Sequence, residues 1–248
     1  MQWLPLLQIQ RDLLDVPRGA ARFQQYLATM LDSNGELRLP LPAFNPMSKG
    51  HVADLLTQLL AIDAEAIGQA AVVEAAERLP GVAWSNSTQV ALVVADDARG
   101  GWTNRYLFET KHLFESRYEQ SHGFITALLW SSEPAMELTI RQKVLAAVYR
   151  NAWIGKHGPA KTLEEMVLQE GMAGRFAGLR MDVLPIELET LIGGHLKTTH
   201  YPTIVACLYG DDAAESCGYD PLGLPVQAGL RYGLSLAYAL PDVVTQLD

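Results

Sequence analysis

The chain opens with a helical rhythm. Phe23, Tyr26, Leu27, Met30 and Leu31 recur at the three- and four-residue spacing of one helix face, and Asn34-Gly35 then breaks the pattern with turn chemistry. Leu39–Pro46 holds Pro40, Pro42 and Pro46, which forbid a helix and predict an extended connector. From His51 to Leu79 the chain is rich in Ala, Leu, Glu and Gln, predicting one helix or two before a Pro80-Gly81 stop. Residues 1–80 are thus expected to form a helical N-terminal segment.

Beyond Gly81 the pattern changes. Gln89–Ala95 and Gly123–Trp130 are unbroken apolar runs of strand length, bounded by turn or polar residues. Between them Gly100-Gly101-Trp102-Thr103-Asn104-Arg105-Tyr106 reads as a loop leading into a strand or a short helix. After Pro134, Ile140, Val144, Leu145, Val148, Tyr149, Ala152 and Trp153 make a wide apolar stripe on a helix that Gly155 is expected to close. Thr162-Leu163-Glu164-Glu165 has capping-box spacing, so a helix should begin there and run to Ala177 or Gly178. Pro185–Leu196 predicts another. The tail from Pro225, with Leu230, Leu234, Ala237, Tyr238 and Val244, predicts a last one bent at Pro241. Helices, then strands, then helices describe an α+β protein, with residues 81–248 as an α+β domain.

Composition narrows the function. With 49% hydrophobic and 19% charged residues, the 248-residue chain is an ordinary globular one, not a disordered one. A net charge of −9 and the absence of any basic run argue against nucleic acid as a partner. Cys207 and Cys217 fit neither a disulfide scaffold nor a C-x-x-C motif, which suits a reducing cytoplasm. The apolar N-terminus lacks a basic leader and is soon interrupted by Arg11 and Asp12, unlike a signal peptide. No apolar run approaches the roughly 18 residues of a membrane span.

Catalytic fingerprints are missing. There is no G-x-G-x-x-G, no P-loop, no G-x-S-x-G and no S-x-x-K. None of His51, His112, His122, His157, His195 and His200 is followed by Glu or paired at i, i+4, so H-E-x-x-H does not occur. Glu170 is the informative acid. It shares a helical face with Leu163, Met166 and Val167, which would bury it, whereas a rival stripe of Leu168, Met172 and Phe176 would turn it outward. A buried carboxylate needs a partner, and Arg150 and His157 lie near in sequence.

The segment 123–178 resembles the core of minimal zincin-like metallopeptidases. Gly123–Trp130 is similar to their edge strand, Val144–Asn151 to their active-site helix and Gln169-Glu170-Gly171-Met172-Ala173 to their glutamate helix. Ala228–Leu234 is similar to the segment that opens their closing helix. The resemblance implies a zincin-like fold with Glu170 at the place of a metal ligand. Where that family carries His-Glu-x-x-His, this chain has Ala147-Val148-Tyr149-Arg150-Asn151, so the resemblance implies a pseudo-enzyme in which Arg150 could pair with Glu170 as a bidentate ion pair.

The leading expectation is therefore a non-catalytic binding or interaction protein without a cofactor, whose partner is a small molecule or a protein. Arg150, Tyr149, Glu170 and His157 are candidate ligand contacts in one cleft, and Trp102, Asn104 and Arg105 in the Gly100–Tyr106 loop are candidates in another. Two alternatives stay open. One is a metal-dependent hydrolase using His112, His122 and His157 with Glu170; the other is the subunit of a structural homo-oligomer. Asp96-Asp97 and Asp211-Asp212 are read either as exposed acidic turns or as cation ligands.

Overall fold

The computed structural model describes residues 1–98, 104–115, 120–181, 184–244 and 246–247. The fold is α+β: eleven helices and one small parallel sheet among the described residues. Two compact units divide the chain. The first comprises residues 1–103 and 117–148, the second residues 104–116 and 149–248. Position 80, where the sequence pattern changes, thus lies inside the first unit. No helix of the described residues is long and apolar enough to cross a membrane.

In the first unit strand β1 (Gln2–Trp3), β2 (Gln89–Ala95) and β3 (Phe124–Trp130) pair in parallel in the order 1-2-3, with Gln2 opposite Gln89 and Gln89 opposite Phe124. Every residue of β3 and all of β2 but Gln89 are buried, as expected of apolar strands in a parallel sheet. Helices α1 (Leu7–Asp15), α2 (Ala20–Met30), α3 (Gly50–Ala61) and α4 (Ala64–Arg78) precede β2. The helical stretch 51–79 is two helices because Asp63 adopts a left-handed conformation (φ 55°) and caps α4 through Ala66 N.

The two-residue β1 is too short for β2, and no sequence signal announced it. Leu4 N donates to Val90 O, after which α1 begins. Gln10, fully buried on α1, continues the ladder with its side chain: Nε2 donates to Leu92 O (3.2 Å) and Oε1 accepts from Val94 N (2.9 Å). Its primary amide stands where a peptide group of a longer β1 would be. The proline-rich connector is buried in part through Leu41, Phe44 and Asn45, and Arg22 pins it by donating to Pro46 O (3.1 Å) as well as to Leu14 O and Val16 O at the end of α1.

The second unit is built from α5 (Arg105–Phe114), α7 (Leu163–Phe176), α8 (Ile186–Gly193), α9 (Tyr201–Tyr209), α10 (Asp211–Ser216) and α11 (Ala228–Ala239). Helix α6 (Glu137–His157) contributes its last turns, the unit boundary falling at Val148. Leu163, Val167, Ile192, Ile204, Leu208 and Ala228 form the centre of the core. The capping box at Thr162 is present, with Glu165 N donating to the threonine hydroxyl and Glu165 accepting from Thr162 N. Helices α7 and α11 cross at backbone distance. A methyl group on Gly171 would fall 1.9 Å from Gly233 O, and one on Gly233 2.0 Å from Val167 O.

Two boundary expectations are corrected, and two elements are new. Helix α6 runs through the exposed Gly155 to His157, because a single glycine weakens a helix by only about 1 kcal/mol. Helix α11 ends at Ala239, so Pro241 lies beyond it and bends nothing. Helices α9 and α10 were not foreseen: the run Tyr201–Tyr209 of α9 is almost wholly apolar and carries no clear amphipathic period, and α10 is a six-residue piece, too short to show one.

Candidate functional site

Glu170 points inward. Its side chain is 9% exposed and that of Arg150 13% exposed, and the two meet as a bidentate pair: Nε to Oε1 at 2.6 Å and Nη2 to Oε2 at 2.7 Å. Helix α6 presents the guanidinium and α7 the carboxylate, and the capping box and the apolar face of Leu163, Met166 and Val167 fix the rotation of α7. Gln169, fully buried, donates from Nε2 to Glu170 Oε1 (3.1 Å) and to Leu113 O (3.0 Å), while its Oε1 has no partner among the described residues.

Further charges join from α5. Arg105 Nε donates to Glu109 Oε2 (3.3 Å). Burial pulls the Arg150 pKa down, but Glu170 and then Glu109 more than offset this and hold the guanidinium above its ordinary value. Burial, aided by Glu109, pushes the Tyr209 phenol well above its ordinary value; its hydroxyl lies 3.4 Å from Thr110 Oγ1. The structure thus gathers Arg150, Glu170 and Arg105 with Glu109, Gln169, Thr110 and Tyr209. Sequence reasoning missed the last four. For Arg105 and Glu109 the i, i+4 spacing of opposite charges was an available signal; for Gln169 and Tyr209 there was none.

The other expected contacts go elsewhere. Tyr149 donates to Val243 O (2.8 Å) and stacks on Phe176 with centroids 5.0 Å apart, and it makes no hydrogen bond to Glu170. His157 sits over Trp153 (4.1 Å) and reaches Gln246 O at 3.2 Å. Asn104 is the N-cap of α5: Oδ1 accepts from Tyr106 N and Leu107 N, and Nδ2 donates to Ser216 O. Trp102 lies outside the described residues. Of the acidic pairs, Asp211 is engaged by three backbone donors, Leu222 N, Gly223 N and Leu224 N, at 2.9–3.1 Å. His122 contacts Glu36 in the first unit (3.2 Å). Among the described residues no three His, Cys, Asp or Glu side chains gather as a group able to hold a metal.

A second polar cluster lies in the first unit, where β2 and β3 end. Asp96 follows β2 directly and its side chain is 5% exposed. Its Oδ1 receives His51 Nε2 at 2.9 Å and Ala98 N at 3.1 Å, and Asn45 Nδ2 lies 3.5 Å from Oδ2. Ser131, directly after β3, has its hydroxyl 2.8 Å from Asp97 Oδ1 and 3.4 Å from Asp96 Oδ1. Burial raises the Asp96 pKa, but the hydrogen bonds from His51, Ala98 and Ser48 outweigh it and leave the acid below the usual carboxylate range. The carboxyl ends of parallel strands are the usual place for ligands in open sheets.

No family model, no curated protein and no solved structure matches this chain.

Proposed function

We propose that this is a non-catalytic binding or interaction protein in which the Arg150–Glu170 pair is a fixed part of the second unit. The bidentate geometry of the pair carries this reading. Both carboxylate oxygens accept from the guanidinium and one accepts again from Gln169, so three of the roughly four lone-pair sites of Glu170 are already used and its charge is matched by Arg150, which disfavours both a cation and a role as free base. On the zincin-like reading the chain is a pseudo-peptidase, with the positive charge of Arg150 standing beside Glu170 where the family would hold a metal. The free thiols of Cys207 and Cys217 support a cytoplasmic location.

Metal analysis of the purified chain, together with a double-mutant cycle, tests the reading. Zinc should be far below stoichiometric. Arg150→Met and Glu170→Leu should each destabilise by about 3–5 kcal/mol by leaving a buried charge alone, and the double variant should recover most of that loss. Stoichiometric zinc that is lost in Glu170→Ala would overturn the proposal in favour of a metal-dependent hydrolase.

A further inference from the structure

Among the described residues, the buried side chains of Gln10, Arg22 and Gln169 bond main-chain carbonyls. His51 is different. It sits in the first turn of α3 and its ring is 38% exposed, yet one edge is tied to a buried carboxylate. An ionised Asp96 can only accept, so the Nε2 facing it carries a proton. In the neutral ring Nδ1 is then an acceptor, and among the described residues it has no hydrogen-bond partner.

His157 Nε2 meets the main-chain carbonyl of Gln246 rather than a carboxylate. His122 meets Glu36, whose side chain is mostly exposed, and His200 meets Thr203. Keeping an ionised carboxylate buried behind an imidazole is costly unless it is well bonded. Here Ala98 N, His51 and Asn45, the last from the proline-rich connector, all converge on it. The result is an imidazole fixed in tautomer and direction at the carboxyl end of a parallel sheet, on a carboxylate whose Oδ1 also lies 3.4 Å from the Ser131 hydroxyl, which with Ser132 bonds Asp97.

We propose that His51, oriented by Asp96, forms a binding site for a small neutral or cationic molecule that presents an N–H or O–H donor to Nδ1. The acceptor at Nδ1 selects a donor. The carboxylates of Asp96 and Asp97 and the net charge of −9 select against an anion. The site gives a place and a ligand chemistry to the binding reading above and rests on it.

The test uses the full chain labelled with ¹⁵N at about pH 8, where an ordinary imidazole is neutral. The His51 ring signals, assigned with His51→Gln, should show the proton on Nε2. Millimolar ethanolamine, the probe, should move the Nδ1 signal and the Ser131 and Ser132 amides, and sodium acetate at equal ionic strength should not. In His51→Gln, with an unchanged circular dichroism spectrum, the amide response to ethanolamine should vanish. Asp96→Asn, which keeps the shape and removes the charge, should weaken the response several-fold. A proton on Nδ1, equal responses to both probes, no response at all, or an ethanolamine response that survives His51→Gln would each overturn the site. None of these outcomes bears on the zinc content or on the cycle at Arg150 and Glu170, so the two readings fail separately.

Discussion

Gln10→Leu isolates what one side chain does for the sheet. In the β2–β3 ladder Gln89 N and Ala95 O bond β3, so the odd positions of β2 face that neighbour and the even ones face β1. Strand β1 ends at Trp3, and Leu92 O and Val94 N, both on fully buried residues, are met by the Gln10 amide instead. Leucine fills the same space and removes both partners, while Leu6 O keeps its bond from Gln10 N. Two buried backbone groups without partners cost about 1–3 kcal/mol each, and the extra apolar burial returns about 1–2 kcal/mol, for a net loss centred on about 2–3 kcal/mol and no more than about 5. Urea unfolding followed by tryptophan fluorescence reads the loss, and hydrogen exchange locates it: the Val94 amide should lose protection while the odd positions of β2 keep theirs. Gln10→Glu sharpens the case. It keeps an acceptor for Val94 N but sets a carboxylate against Leu92 O, which raises its folded pKa above the unfolded one. Its stability should therefore be highest in acid and fall as pH rises through the ordinary carboxylate range toward that raised value. A Gln10→Leu protein within about 0.5 kcal/mol of the parent, with Val94 still protected, refutes the argument.

Other outcomes follow from the same geometry. Gly171→Ala and Gly233→Ala each force a methyl group into backbone at 1.9–2.0 Å, so the α7–α11 crossing must open; each should cost about 3 kcal/mol or more, read as an early loss of the second unit in thermal unfolding. Burial pushes the Cys207 thiol up to about 11, so iodoacetamide at neutral pH should alkylate Cys217 and leave Cys207 intact in the native state, as peptide mass mapping would show. Burial likewise pushes the Tyr26 phenol up to about 12, and its hydroxyl donates to Leu41 O. Unfolded chains ionise that tyrosine first, so its contribution is complete below about pH 10 and is lost as pH rises toward 12; Tyr26→Phe should flatten that part of the alkaline unfolding curve.

Much of the architecture was legible where one physical signal dominated. Turn chemistry at Asn34-Gly35 is realised with Gly35 at φ 82°, the Thr162 box caps α7, and both apolar runs are strands. The inward turn of Glu170 was harder, since two apolar stripes competed on α7; packing against α11 buries both, with Leu163, Met166 and Val167 on one and Met172 and Phe176 on the other. That leaves Glu170 near solvent in pattern but enclosed in space by Arg150, 20 residues away. Strand β1 could not be read, because two residues carry no period. The pairing of His51 with Asp96 spans 45 residues and follows from the fold of the connector, not from any local motif.

A common cause links these features. Short strands and proline-rich connectors leave backbone groups without regular partners, and a folded interior tolerates few of them. This chain meets the demand with polar side chains: Gln10 extends β1, Arg22 donates to the carbonyls at the end of α1, Arg175 donates to Ala237 O in α11 and to Leu240 O and Pro241 O just beyond it, and Asp211 accepts from three amides of the loop after α10. Residue type alone therefore misleads here, because arginines, acids and amides that look suited to a ligand are committed to the main chain or, at Arg150 and Glu170, to each other. What separates a ligand-facing group from these is a hydrogen-bonding atom left open at the surface while the rest of the side chain is held in place. His51 meets that criterion against a buried carboxylate, with Nε2 held on Asp96 and Nδ1 open, whereas His157 of the second unit is held only by the main-chain carbonyl of Gln246, and so the first unit rather than the charged centre of the second is where binding should be sought.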